Sequence, residues 1–232
     1  MKRTQHNEHH LSHRSNWLRA GVLGANDGLI STASLMTGMV AAQPEFHTLL
    51  LTGASALVGG AISMAAGEYV SVYSQADTEK ADMEMEKREL EIHPEEELDE
   101  LTTIYEERGL TPELAREVAI QLTAHNALDA HMRDEIGISE ESFANPLQAA
   151  LSSAAAFAMG ATIPLFVILI APINILLATL IFSTLFGLGL LGYISAKLGG
   201  APARPAITRI VIWGAIAMGI TGLIGKLVGV TV

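Results

Sequence analysis

The sequence predicts an all-α membrane protein, with five transmembrane helices and a three-helix cytoplasmic insert between the second and the third. Three observations predict it. Half of the 232 residues are hydrophobic, and they gather in blocks near or above the roughly 20 residues that cross a bilayer. Of the 25 acidic residues, 21 lie between Gln75 and Asn145 with only six of the 14 basic ones, so that stretch carries −15 and the rest of the chain +4. The Lys and Arg outside it recur at alternate ends of the blocks, and positive residues favour the cytoplasmic side.

Residues 1–16 are polar and contain His6, His9, His10 and His13. Without an apolar core or a small-residue cleavage site they read as a flexible tail rather than a secretory signal, although four imidazoles also offer ligands to a transition metal. Residues 17–74 hold two spans. The first runs from Trp17 to Val40, with Arg14 and Arg19 at its start and Asn26-Asp27-Gly28 interrupting it; the second runs from about Thr48 to Tyr73. Ser55, Gly59, Ser63, Gly67 and Ser71 recur every fourth residue along the second, a stripe that admits a close helix neighbour. Packing within one subunit and dimerisation both satisfy it.

Residues 75–145 form the acidic insert. Its first helix is expected from about Gln75 to Ile92, its second from Pro94 to Glu107 with Gly109 suited to a C-cap. Thr111-Pro112 opens a third as N-cap and first turn, reaching about Glu135-Ile136-Gly137. Residues 146–232 hold three further spans, about Leu147–Ile170 with Pro164 inside, Ile173–Leu198 and Ile207–Val230. The link at Ala171-Pro172 lacks positive charge, while Lys197, Arg204 and Arg209 mark the next link as cytoplasmic. The N-terminus and the insert are therefore inside and the C-terminus outside.

Asp27 lies about ten residues into a span, where an ionised carboxylate costs roughly 2.5–3.5 kcal/mol and usually faces a water-filled path or a cation. Glu68 and Met64 are four apart on the second span, so they share a face and add an oxygen and a thioether. A structural Asp27 paired with Asn26, a Glu68 reaching toward water and a Met64 that merely packs are the plainer alternatives. In the insert, Glu86 and Glu89, then Glu97 and Glu100, are pairs three apart on either side of His93-Pro94. A break there brings the pairs together, and their repulsion is relieved by a divalent ion. His131, Met132 and Glu135 add nitrogen, sulfur and oxygen donors, a mixture that favours a transition metal over calcium. A solvated acidic surface is the bland reading of the same charges. With no cysteine there are no thiolate ligands; no EF-hand loop and no Glu-x-x-His pair of a ferritin-like di-iron centre occur. Nothing suggests nucleic-acid binding or an enzyme.

The chain resembles the vacuolar iron transporter family. The carriers are Trp17-Leu18-Arg19, Asn26-Asp27-Gly28-Leu29, Gly60-Ala61-Ile62-Ser63-Met64 and Gly67-Glu68-Tyr69-Val70-Ser71. Ile104-Tyr105-Glu106-Glu107-Arg108-Gly109-Leu110, Glu135-Ile136-Gly137 and Gly160-Ala161-Thr162-Ile163-Pro164-Leu165 follow in register. The resemblance implies a homodimer of five-helix subunits, a cytoplasmic three-helix metal-binding domain, and proton-coupled export of Fe²⁺ or Mn²⁺ without a prosthetic group. It casts Asp27 and Met64 as residues of the path, and Glu86, Glu89, Glu97, Glu100, Met132 and Glu135 as cytoplasmic ligands. The plant members have a glutamate where Ala56 stands and a methionine where His131 stands, and they lack a carboxylate at Glu68. Either the coupling acid has moved to Glu68 or proton coupling differs.

The expectation is thus a secondary transporter in a bacterial cytoplasmic membrane, with dications, protons, lipid and a second copy of the chain as partners. Its rivals are a metal-sensing membrane regulator without flux and a passive divalent-cation channel.

Overall fold

The computed structural model describes residues 16–138 and 145–229. The histidines of the tail and Val230 lie outside the described residues. Among these residues there are seven α-helices and no strand: α1 (Asn16–Ala41), α2 (Phe46–Ile92), α3 (Pro94–Glu107), α4 (Pro112–Asp134), α5 (Pro146–Ile170), α6 (Leu176–Leu198) and α7 (Ala203–Gly229). The chain is an all-helical membrane protein. Helices α2, α5, α6 and α7 are long and apolar enough to cross a bilayer; α1, with Asn26 and Asp27 in its middle, is not among them.

Two compact units divide the chain, one made of residues up to Tyr69 and from Pro146 onward, the other of Val70–Asn145. The expected break between a second span ending at Tyr73 and an insert helix starting at Gln75 is not observed: α2 runs unbroken for 47 residues. The physical reason lies in the residues, since no Gly or Pro falls between Glu68 and His93 to interrupt the hydrogen-bond ladder.

In the first unit α1 is the central helix, packed along α5 and also against α7 and α6. Glycines set the closeness. A Cβ on Gly24 or Gly28 would strike the backbone of Ser153 or Phe157, and one on Gly160 would strike Ala25. These pairs advance together along both chains, so α1 and α5 run in the same direction. Gly38 against Thr221 and Gly229 against Ala42 give α7 that direction too. Gly187 faces Leu29 while Leu180 packs in one buried cluster with Met36, so α6 runs the opposite way. The first part of α2 also runs opposite to α5, with Gly53 beside Leu165 and Gly60 beside Phe157. Among the described residues its small-residue stripe is left largely uncovered. Ser55, Gly59, Ser63, Gly67 and Ser71 are all exposed, and a Cβ at Gly59 or Gly67 would meet nothing within 4 Å.

In the second unit α3 and α4 pack together around a small core of Leu101, Ala119 and Ala130, with Leu98, Tyr105 and Leu122 against it. Here the sequence reading of one continuous third helix needs correcting. Asn126 has non-helical φ −164° and ψ 96°, which splits α4 in two. In a straight helix Ala119 and Ala130 would stand about 16 Å apart, yet both belong to the Leu101 core, so the chain folds back at Asn126. The break is capped: the Asn126 side-chain oxygen accepts the Asp129 N–H at 3.2 Å, the N-cap bond that satisfies a first-turn donor.

Candidate functional site

Two constellations bear on function, one in each unit. In the first, Asp27 and Ser31 of α1 meet Ala56, Gly60, Ser63 and Met64 of α2 around a cavity of about 280 Å³, with Thr32, Leu35 and Phe157 completing the wall. Helical spacing explains which residues arrive. Asp27, Ser31 and Leu35 recur at four-residue steps along one face of α1, and Ala56, Gly60 and Met64 do the same on α2. Gly60 leaves room for the Phe157 ring, which a Cβ there would overlap. The Ser31 hydroxyl donates to the Asp27 carbonyl at 2.6 Å, so its own backbone bond is made and its oxygen lone pairs remain available. The cavity thus offers a carboxylate, a thioether and hydroxyls. Glu68, half-buried one turn beyond Met64, is not among the lining residues. The contributions of Ser31, Thr32 and Phe157 were not read from the sequence; Ser31 and Thr32 follow Asp27 and Gly28 by four residues, whereas no local spacing marks Phe157.

A larger cavity of about 860 Å³ is lined by Thr37, Gln43, Leu49, Leu176, Met218 and Lys226, among others. Size does not make it the ion site. Its walls are mostly apolar, and its one charged side chain, Lys226, repels a cation.

In the second unit, donor atoms of Glu86, Glu97, His131 and Glu135 all lie within 4.8 Å of one another. Pro94 starts α3 directly after α2, with the Glu96 and Glu97 N–H groups bonded to the His93 carbonyl at 3.0 and 3.1 Å, and this hairpin brings Glu97 back to Glu86. Folding at Asn126 returns the end of α4 to the same place. His131 is fully buried, and its Nδ1 lies 2.9 Å from Glu135, 3.1 Å from Glu86 and 3.6 Å from Glu97. One ring N–H can satisfy one oxygen, so three carboxylates around it are left under-compensated. A metal with bonds of about 2.1 Å has ligand-to-ligand edges of about 3.0 Å when octahedral and about 3.4 Å when tetrahedral. The three separations from Nδ1 lie near these edges.

The pairs therefore contribute one member each. Glu89 is half-buried and Glu100 exposed, and neither joins the four-residue group. Three residues along a helix turn a side chain by about 60° and move it about 4.5 Å, which puts the second glutamate of each pair on the rim. Met132 is buried, but about 100° around the helix from His131.

Burial pushes the Glu86 carboxyl up to about 7, with Glu135, Glu97 and Glu100 adding to the effect and His131 opposing it. Burial also raises Glu97, against His131 and together with Glu100, Glu135 and Glu89. The sign for stability follows from linkage. A carboxyl raised from 4.5 to about 7 in the folded state contributes stability that is full below about 4.5 and is lost as pH rises through about 7. The metal-free protein is accordingly expected to melt lower at pH 8 than at pH 5.5. Adding Mn²⁺ should raise the melting temperature at pH 8 and do little at pH 5.5, where protons hold the site. Equal metal-induced shifts at both pH values would contradict this assignment.

The family whose model matches the chain is the VIT family, over residues 18–226. A protein of Acanthamoeba castellanii named vacuolar iron transporter is 44% identical over 212 residues, covering 91% of this chain and 78% of its own length. Vacuolar iron transporter homolog 2 of Arabidopsis thaliana is 35% identical, covering 94% of this chain and 87% of its own length. Vacuolar iron transporter homolog 5 of Oryza sativa subsp. japonica is 35% identical, covering 91% and 80%.

Proposed function

Because this chain belongs to the VIT family, we propose that it is a transporter, not an enzyme, and moves Fe²⁺ or Mn²⁺ out of the cytoplasm in exchange for protons. The single observation that carries the proposal is the meeting of Asp27 and Met64, from two helices, in one cavity. A carboxylate gives the charge that draws a dication out of water, a thioether favours Fe²⁺ or Mn²⁺ over Mg²⁺ or Ca²⁺, and hydroxyls complete a shell weak enough to let the ion go.

In this reading α1 is the fifth span. It packs among three helices that qualify by apolar length. The alternating helix directions support the N-terminus, the start of α5 and the basic α6–α7 link on one side of the membrane, and Lys197, Arg204 and Arg209 favour the cytoplasm for that side. We place the protein in a bacterial cytoplasmic membrane, although export has the same direction if the far compartment is a vacuole. The Glu86, Glu97, His131 and Glu135 group takes ions from the cytoplasm, with Glu89, Glu100 and Met132 as flanking residues, and the Asp27 cavity carries them onward. Glu68 is the proposed coupling acid.

Flux decides among the alternatives. In vesicles with an acidic interior, uptake of Fe²⁺ or Mn²⁺ is expected to collapse when the pH gradient is dissipated. Flux that ignores the gradient would mean a channel, and binding without flux would mean a regulator.

The exposed stripe on α2 supports a homodimer, since small residues let helices approach closely in lipid. The chain has no native cysteine, so Gly59→Cys is a clean probe. Mild oxidation of membranes is expected to convert most of this variant to a crosslinked dimer, while Ser153→Cys, fully buried within the subunit, stays monomeric on a denaturing gel. Failure of Gly59→Cys to crosslink would remove α2 from the interface.

A further inference from the structure

We infer that Tyr105 of α3 and Arg108, the C-cap of that helix, by gripping Asp134, are positioning residues that hold His131 and Glu135 in register with Glu97. The inference rests on the metal-site reading above. The Tyr105 hydroxyl donates to Asp134 Oδ2 at 2.6 Å. Arg108 donates twice to the same residue, from Nη1 to Oδ1 at 2.5 Å and from Nη2 to the main-chain carbonyl at 2.8 Å. The guanidinium lies 5.3 Å from the centre of the Tyr105 ring, a cation–π distance that fixes both side chains. Arg133 adds a bond to Oδ2 at 2.7 Å. Burial works to raise the Asp134 carboxyl, but the hydrogen bonds from Arg133, Tyr105 and Arg108 overcome it and hold the group well below the usual carboxylate range.

The grip falls where the fold needs it. The second part of α4, from Asn126 to Asp134, is about two turns long, too short to hold its own helix in water. It ends where Gly137, at φ +79°, turns the chain so that the Ile138 N–H reaches the Met132 carbonyl. Asp134 sits in that last turn, three residues after His131 and one before Glu135. On α3 and its C-cap, Glu97, Leu101, Tyr105 and Arg108 are spaced by four, four and three and share one face. A single face of α3 therefore supplies one metal donor, the core leucine and both arms of the grip. Arginine rather than lysine suits the last position, because only a planar fork can serve a carboxylate and a carbonyl together.

Positioning and simple electrostatics predict opposite signs. Removing a positive charge near a dication site should tighten binding, whereas loosening the frame of the ligands should weaken it. The test uses the full-length protein in detergent with Co²⁺ as a spectroscopic probe, measuring affinity, the visible Co²⁺ absorption at saturation and melting without metal. Arg108→Met is expected to bind Co²⁺ about tenfold more weakly, the lower range for groups that orient metal ligands. Arg108→Lys and Tyr105→Phe should lose less, with an altered absorption band and a metal-free melting point like wild type. The control is Arg116→Met, which removes the same charge from another α3–α4 ion pair, with the more exposed Asp99, and should bind as tightly as wild type or tighter. Wild-type or better affinity in both Arg108→Met and Tyr105→Phe overturns the inference. If Arg108→Met unfolds before metal is added, Tyr105→Phe decides alone. Indifference of the wild type and Glu97→Gln alike to Co²⁺ would instead overturn the metal site itself, with the grip intact.

Discussion

Asp27→Asn is expected to slow Fe²⁺ uptake into acid-interior vesicles by about a hundredfold while leaving the protein folded. A hundredfold is about 2.7 kcal/mol. Two unit charges 4 Å apart interact by about 4 kcal/mol at an effective dielectric of 20, and a dication doubles that; about a third of this attraction therefore suffices for the effect. Asparagine keeps the size and one oxygen, so the cavity shared with Ser31 and Met64 keeps its shape and only the charge is lost. Met64→Leu should lose less, and should lose more for Fe²⁺ than for Mn²⁺, because sulfur contributes by softness rather than charge. Glu68→Gln separates coupling from binding: if Glu68 carries the proton, this variant transports Fe²⁺ at a rate that no longer follows the gradient. Wild-type flux in Asp27→Asn would remove Asp27 from the path and leave its place in the cavity structural.

The second large effect has two signs in one protein. Glu86→Gln should raise the melting temperature of the metal-free form at pH 8, because it removes a buried carboxylate that stands among Glu97, Glu135 and His131. The same substitution should abolish most of the stabilisation by metal. At a Mn²⁺ concentration 100 times its Kd, the wild type gains about 2.7 kcal/mol; a variant with a hundredfold weaker site gains about 0.4 kcal/mol at that concentration. A variant destabilised without metal and still protected by it would show that Glu86 is a packing residue.

Much of this was open to sequence reading, and the failures have identifiable causes. The Asn126 break carried a signal, since Asn126 with Asp129 three residues on is a helix start. It was masked because Leu114, Val118 and Leu122 keep helical spacing and Leu128 looks like the next member, although it lies six residues further on. Tyr105 and Arg108 stood in a motif that the resemblance had flagged, without a role, because their partner Asp134 is 29 and 26 residues away. His131 was legible as a neighbour of Glu135, but not as the buried centre of the group.

The sequence by itself determined the helical class, the apolar blocks, the concentration of acidic charge between residues 75 and 145 and the kinds of donor atom available. Those follow from composition and from periods of three to four residues, both local properties of a chain. Only the tertiary structure decided which donors meet. Asp27 joins Met64 across 37 positions, and Glu86 and Glu97 enter a group from which Glu89 and Glu100 stay out. Selection of that kind depends on helix rotation and on where the chain folds back, and those are set by packing: glycines against α5 in one unit, and Leu101 between the two halves of α4 in the other.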